Sequence, residues 1–197
     1  MKNIFDNNHI FYFFKEVNDE TVNELISSIN SCIMEDEKTI RANNDKMLSI
    51  GVDITHIKHE LPHIIIHLNT GGGSVYSALA LYDFLENIKK KYVVEIIGQG
   101  HVMSAGTLIM QGASIRKSYK NTYYMIHGVS SWEFGTIAKL EESLEHTKQL
   151  QETYLGIMDE KTHLTKDDLK NRFQKSENWY FNAQDALGIG LIDEIIE

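Results

Sequence analysis

Apolar residues recur along this chain at two spacings, and the switches between them mark the predicted elements. The run "HIFYFF" from His9 is aromatic and aliphatic throughout, as in a buried strand. In "NDETVNELISSINSCI", Val22, Leu25, Ile26 and Ile29 share one helical face. Asn18 or Asp19 can cap that helix, and acids fill its first turn. The stretch that follows, about 36–61, is mixed and polar without sustained periodicity, so an insertion is expected, built as a hairpin or a lid.

Periodicity then returns. "HIIIHLN" reads as a buried strand and "TGGG" as a turn. Val75, Ala78, Leu81, Tyr82, Leu85 and Ile88 make an amphipathic helix, and "YVVEIIGQ" is the next strand. Strand, helix and strand at this spacing form a βαβ unit with a parallel sheet. A helix from about Ser104 and a strand through "TYYMIH" follow. In 134–163, the residues Phe134, Ile137, Leu140, Leu144, Thr147, Leu150, Tyr154 and Ile157 form one seam. So long a helix is expected to pack its seam against something outside the domain. Thr165 caps a short helix in "TKDDLKNRF", and the chain closes with strand, helix and strand.

Composition narrows the picture. With 197 residues, 42% hydrophobic and 24% charged, the chain suits one globular domain, 1–197. A net charge of -9 argues against nucleic acid as a partner. The basic run Lys89 to Lys91 reads as a helix end. Cys32 is the lone cysteine, which rules out an intrachain disulfide and suits a reducing compartment. No apolar run reaches membrane-spanning length, no charged-then-apolar segment opens the chain, and the start "MKNIFDNN" is short and polar, so neither a signal peptide nor a transit peptide is expected. A cytoplasmic protein without membrane contact is expected.

"HELPH", residues 59–63, matches the H-E-x-x-H zinc pattern. That chemistry needs His59 and His63 on one helical face, and Pro62 inside the motif opposes a helix. On a strand, His63 and His67 would have Cα atoms about 13 Å apart. No metal site is expected from either pair.

"GHVMSAG" carries more chemistry. Ser104 lies between a predicted strand and a predicted helix, where a hydroxyl and backbone N–H groups can converge; an ordinary N-cap serine is the competing explanation. Gly71 to Gly73 end the preceding parallel strand, so turn and serine should meet at one carboxyl edge. N–H groups of that turn and of Ala105 can form an oxyanion hole. His127 ends the apolar strand "YYMI" at the same edge, within reach as a base.

Together these residues resemble the ClpP family, the proteolytic subunit of the Clp protease. The family pattern N-S-P-G-G is here "NTGGG", A-S-M-G is "MSAG", and M-I-H is Met125, Ile126 and His127. The family's ending is similar to "YFNAQDALGIGLIDEI". The resemblance implies an α/β, crotonase-like fold of repeated β-β-α units, with a mainly parallel sheet and a long handle helix in 132–163. It implies Ser104 as nucleophile, His127 as base, and Gly73 and Ala105 as oxyanion-hole donors. Gly72, Gly128 and Val129 would face a polypeptide substrate. It further implies heptameric rings stacked as a tetradecamer and an AAA+ unfoldase partner. No cofactor is implied, since ATP would serve only that partner.

The chain departs from the pattern in several places. The family's third catalytic residue, an aspartate, falls on Asn178. An asparagine orients an imidazole but offers no charge, and that exchange can cost about 10⁴ in rate. Glu177 is an alternative partner next door. Gly71 replaces a proline and "HGVSS" replaces H-Q-P. The short start and the longer 36–61 segment weigh against unfoldase docking. Besides a ClpP-type serine endopeptidase, with head maturation in a virus as one variant, two readings stand. One is a silent ring subunit, and the other is a crotonase-like acyl-CoA enzyme.

Overall fold

The structure is a computed structural model that describes residues 8–175 and 178–197. Its centre is a mainly parallel sheet built from β1 (His9–Phe13), β2 (Ile64–Thr70), β3 (Val94–Met103), β4 (Ile115–Tyr119) and β7 (Glu194–Ile196), adjacent in that order. β5 (Tyr123–His127) pairs in parallel with β3, and β6 (Asn178–Asn182) pairs antiparallel with β5.

β3 serves two groups of strands. Its first half, through Gly98, pairs with β4, whereas His101 to Met103 pair with β5. The switch falls at glycines for a steric reason. A Cβ on Gly98 would lie 2.6 Å from the Tyr124 hydroxyl, and Gly100 has a φ of 71°. This bend carries the end of β3 towards β5.

α2 (Val75–Ile88) connects β2 to β3, as the βαβ pattern requires, and buries Ala78, Leu81, Tyr82, Leu85 and Ile88. Lys89 caps its C-terminus, so the basic run does end a helix. β1 differs from expectation. Among the described residues it pairs with β2 alone, and Ile10 and Tyr12 are exposed while Phe13 is buried, so it is an edge strand there. β4 was not anticipated, because Arg116 and Lys117 interrupt its apolar pattern.

The expected hairpin or lid in 36–61 is absent from the described chain. α1 (Asp19–Ser49) runs through the first part of that segment, starting from a capping box between Asn18 and Thr21. Its inward face continues through Ile33, Asp36, Ile40, Asn43 and Met47 at helical spacing. Asp36 and Asn43 break the apolar signature but not the geometry. Asp36 is buried and pairs with His9 Nε2 at 2.9 Å, which fastens α1 to β1. Residues 52–63 are irregular, so His59 and His63 share no helix, and the His59 ring contacts Asn44 Oδ1 at 2.9 Å.

α3 (Ala105–Met110) follows Ser104 and is buried throughout. α4 (Ile137–Lys161) is the long helix, and α5 (Lys166–Lys175) begins after Thr165, whose hydroxyl caps it as expected. The α4 seam divides in two. Tyr154 of the seam is buried, beside Leu155 and Met158 from outside it, whereas Ile137 is 77% and Leu144 55% exposed. α6 (Ala183–Gly188) precedes β7. Arg116 holds the C-terminal end, donating to the carbonyls of Lys161 (2.7 Å) and Gly190 (2.9 Å) and pairing with Asp193. Among the described residues no helix is long and apolar enough to cross a membrane.

Candidate active site

β3 ends in a sharp elbow. Ser104 has φ 52° and ψ -122°, the one non-glycine residue with positive φ among those described. An L-residue adopts this conformation at a cost of order 1–3 kcal/mol, so the surroundings must enforce it. Three bonds do so. Ser104 N–H donates to Met125 O at 2.8 Å. Thr107 N–H and Thr107 Oγ1 donate to Ser104 O at 2.9 and 2.7 Å. The Thr107 hydroxyl is thereby spent as a donor, so the Tyr154 hydroxyl donates to it, at 3.2 Å. Burial pushes the Tyr154 phenol up to about 12, which keeps it a neutral donor.

The Ser104 hydroxyl does not cap α3. Its Oγ lies 2.8 Å from His127 Nε2. This follows from register: Met103 pairs with Met125, and His127 stands two residues further along β5. Asn178 faces His127 directly across the β5–β6 ladder. Directly opposed residues project to one face with Cβ atoms about 4.5–5.5 Å apart. Serine, histidine and asparagine thus come from three neighbouring strands. Glu177 lies outside the described residues.

The glycine turn is fixed from the other side. Val17 N–H donates to Gly72 O at 2.8 Å, and Ser74 N–H donates to Val17 O at 2.7 Å. In such a parallel bridge the central residue's own N–H points away from the partner. The Gly73 N–H is therefore directed away from Val17, and Gly73 lines a pocket with Ser104 and Ala105. Gly72 backs directly onto the elbow: a Cβ there would lie 2.9 Å from Met103 O.

That pocket has a volume of about 50 Å³. Val75, Leu108, Val129 and Tyr154 line it, together with His127 and Gly128. Gly72 and Asn178 do not; Gly72 instead lines a wider groove of about 600 Å³ with Phe14, Lys15, Asn69 and His101. Gln151 of α4 accepts from Val129 N–H at 3.2 Å, and a Cβ on Gly128 would lie 2.9 Å from its Oε1.

Several of these supports escaped the sequence. Thr107 and Gln151 carried no signal of their own. Tyr154 was visible as a seam residue, but its inward half of the seam packs on the elbow.

Known proteins agree with this architecture. Nearly the whole chain, 96%, superposes on 91% of an asparagine-to-aspartate mutant of ClpP1 from Listeria monocytogenes, with a TM-score of 0.72 and 22% identity. The class is therefore the ClpP fold, a mixed α/β fold with a mainly parallel sheet and a long helix. The Clp protease family profile matches residues 41–197. This chain belongs to the Clp protease family. It is also 29% identical over 136 residues to the ATP-dependent Clp protease proteolytic subunit of Deinococcus radiodurans. That match spans 68% of this chain and 65% of the relative, just under two thirds of the relative's length.

Proposed function

We propose that this protein is a ClpP-type serine endopeptidase that cleaves unfolded polypeptides or peptides. The observation carrying the reading is the 2.8 Å contact between Ser104 Oγ and His127 Nε2 at a positive-φ elbow. His127 Nε2 takes the hydroxyl proton as Oγ bonds to the scissile carbonyl carbon. The oxyanion is held by the N–H groups of Gly73 and Ala105. The intermediate collapses as His127 passes the proton to the leaving amine and the C–N bond breaks. Water, deprotonated by His127, then hydrolyses the acyl-enzyme.

Asn178, the register partner of His127 across the β5–β6 ladder, is assigned the orienting role in this reading. Its amide offers an acceptor to an imidazole N–H but no negative charge to an imidazolium. Hydrolysis is accordingly slow. That same substitution favours a second reading, a ring subunit whose role is assembly with an active paralogue.

The exposed half of the α4 seam supports self-association. Phe134, just before the helix, is 72% exposed and Ile137 at its start 77%, an apolar surface suited to a second copy. Heptameric rings paired as a tetradecamer, an AAA+ unfoldase partner and a cytoplasmic location complete the reading.

Fluorophosphonate labelling tests it, with adducts mapped by mass spectrometry in the native protein and in His127→Ala. A single adduct on Ser104 that disappears in the variant supports the peptidase. Absence of any adduct in assembled protein favours the silent subunit.

A further inference from the structure

His127 stands midway between two backbone anchors. Two residues before it, Met125 O accepts the Ser104 N–H at 2.8 Å. Two residues after it, Val129 N–H donates to Gln151 Oε1 at 3.2 Å. The first anchor belongs to the elbow. The second is needed because β5 ends at His127 and residues 128–136 form neither helix nor strand. The part-buried Val129 N–H has no ladder to enter there, and it takes its partner from a side chain. Gln151 also packs on the residue next to His127. A Cβ on Gly128 would lie 2.9 Å from Gln151 Oε1 and 3.6 Å from Phe173 Cδ2.

Gln151 does not act alone on α4. Thr147, Gln151 and Tyr154 follow one another at spacings of four and three residues, so they share one helical face. Thr147 Oγ1 lies 2.9 Å from Ser131 Oγ, and Gln151 holds Val129. Tyr154 reaches the Thr107 hydroxyl, which donates to Ser104 O. One helix face therefore grips both the chain leaving His127 and the elbow that carries Ser104. We propose that Gln151 is a positioning residue for His127, and that through it α4 sets the separation of Ser104 and His127. This rests on the serine peptidase reading and adds a residue to its machinery. Gln151 lies outside the lining of the pocket beside Ser104, so it acts through the backbone of Gly128 and Val129.

Labelling with a small alkyl fluorophosphonate over a range of concentrations provides the test. Ser104 Oγ bonds to phosphorus as fluoride leaves, and His127 takes the hydroxyl proton. The saturating rate therefore reports the serine–histidine alignment, and the half-saturating concentration reports probe binding. Gln151→Met keeps an unbranched side chain without the oxygen. Gln151→Asn withdraws the acceptor by one methylene, and Gln151→Glu restores an acceptor for the Val129 N–H. A thermal melt of each full-length variant shows whether it is folded; should Gln151→Met not fold, Gln151→Asn decides. In both loss variants the saturating rate should fall about tenfold to 100-fold, as for a displacement of up to about 1 Å, with the half-saturating concentration unchanged. Gln151→Glu should label close to the native rate. A native rate in either folded loss variant would overturn the proposal, as would Gln151→Glu labelling as slowly as Gln151→Asn. A change in the half-saturating concentration alone would also overturn it, by placing Gln151 in probe binding. In all three cases the native protein still labels, and the peptidase reading stands. No labelling of the native protein would overturn that reading, and the role of Gln151 with it.

Discussion

A Cβ placed on Gly72 would lie 2.6 Å from the Cβ of Ser104. The glycine turn and the Ser104 elbow are thus packed backbone to side chain, with no room for a methyl group. Gly72 also has a φ of 98°, which an L-residue resists. Gly72→Ala should force the two apart. A displacement near 1 Å costs about 100-fold in rate. Fluorophosphonate labelling of Ser104 should fall by about that factor; an unchanged rate would show that the turn does not set the elbow.

Asn178→Asp should restore a charge opposite His127. The two residues pair directly across β5 and β6, so the carboxylate enters on the face that the asparagine uses. Turnover of a peptide substrate should rise at least about tenfold, with about 10⁴ as the ceiling. No gain would mean that the third residue is not what limits the site.

The Arg116–Asp193 pair gives stability a sign in pH. Burial raises the Asp193 carboxyl, but hydrogen bonds from the Arg116 side chain and backbone outweigh it and hold the pKa below its ordinary value. A lowered folded-state pKa stabilises above the unfolded value, about 3.9, and that stability is lost as pH falls through the folded value. Asp193→Asn should lower the thermal midpoint at pH 7. The gap between variant and native protein should close as pH drops below about 4. A gap that is constant with pH would exclude this pair as its source.

Ile137 and Leu144 are already in contact with water, 77% and 55% exposed. Replacing both with glutamate should leave the thermal midpoint of an isolated subunit nearly unchanged, because exposed positions contribute little to folding. Sedimentation velocity should show smaller species than the native protein forms. An unaltered assembly would place the contact elsewhere.

Much of this architecture could be read along the chain, because the central elements obey one periodicity each. The β2–α2–β3 unit follows from clean apolar spacing, and Ser104 and His127 meet because both end parallel or near-parallel strands at one edge. Elsewhere the reading failed where polar residues do structural work. Asp36 faces inward to meet His9, which disguised half of α1 as an insertion. Arg116 and Lys117 hid β4, since their charges are satisfied across the sheet by Asp193 and Glu95. The Tyr154–Thr107–Ser104 connection spans residues far apart in sequence and has no local signature.

The bend in β3 has one more consequence. Ser104 directly follows a strand anchored in the broad parallel sheet, whereas His127 and Asn178 ride on a two-strand tongue joined to the last residues of that same strand. The 2.8 Å between Ser104 and His127 is therefore the gap of a joint, not a dimension of any single strand. Its alignment depends on the pairing of His101 to Met103 and on the Ser104 N–H bond to Met125 O, and whatever steadies or tilts the tongue there changes that gap without touching the side chain of Ser104 or His127.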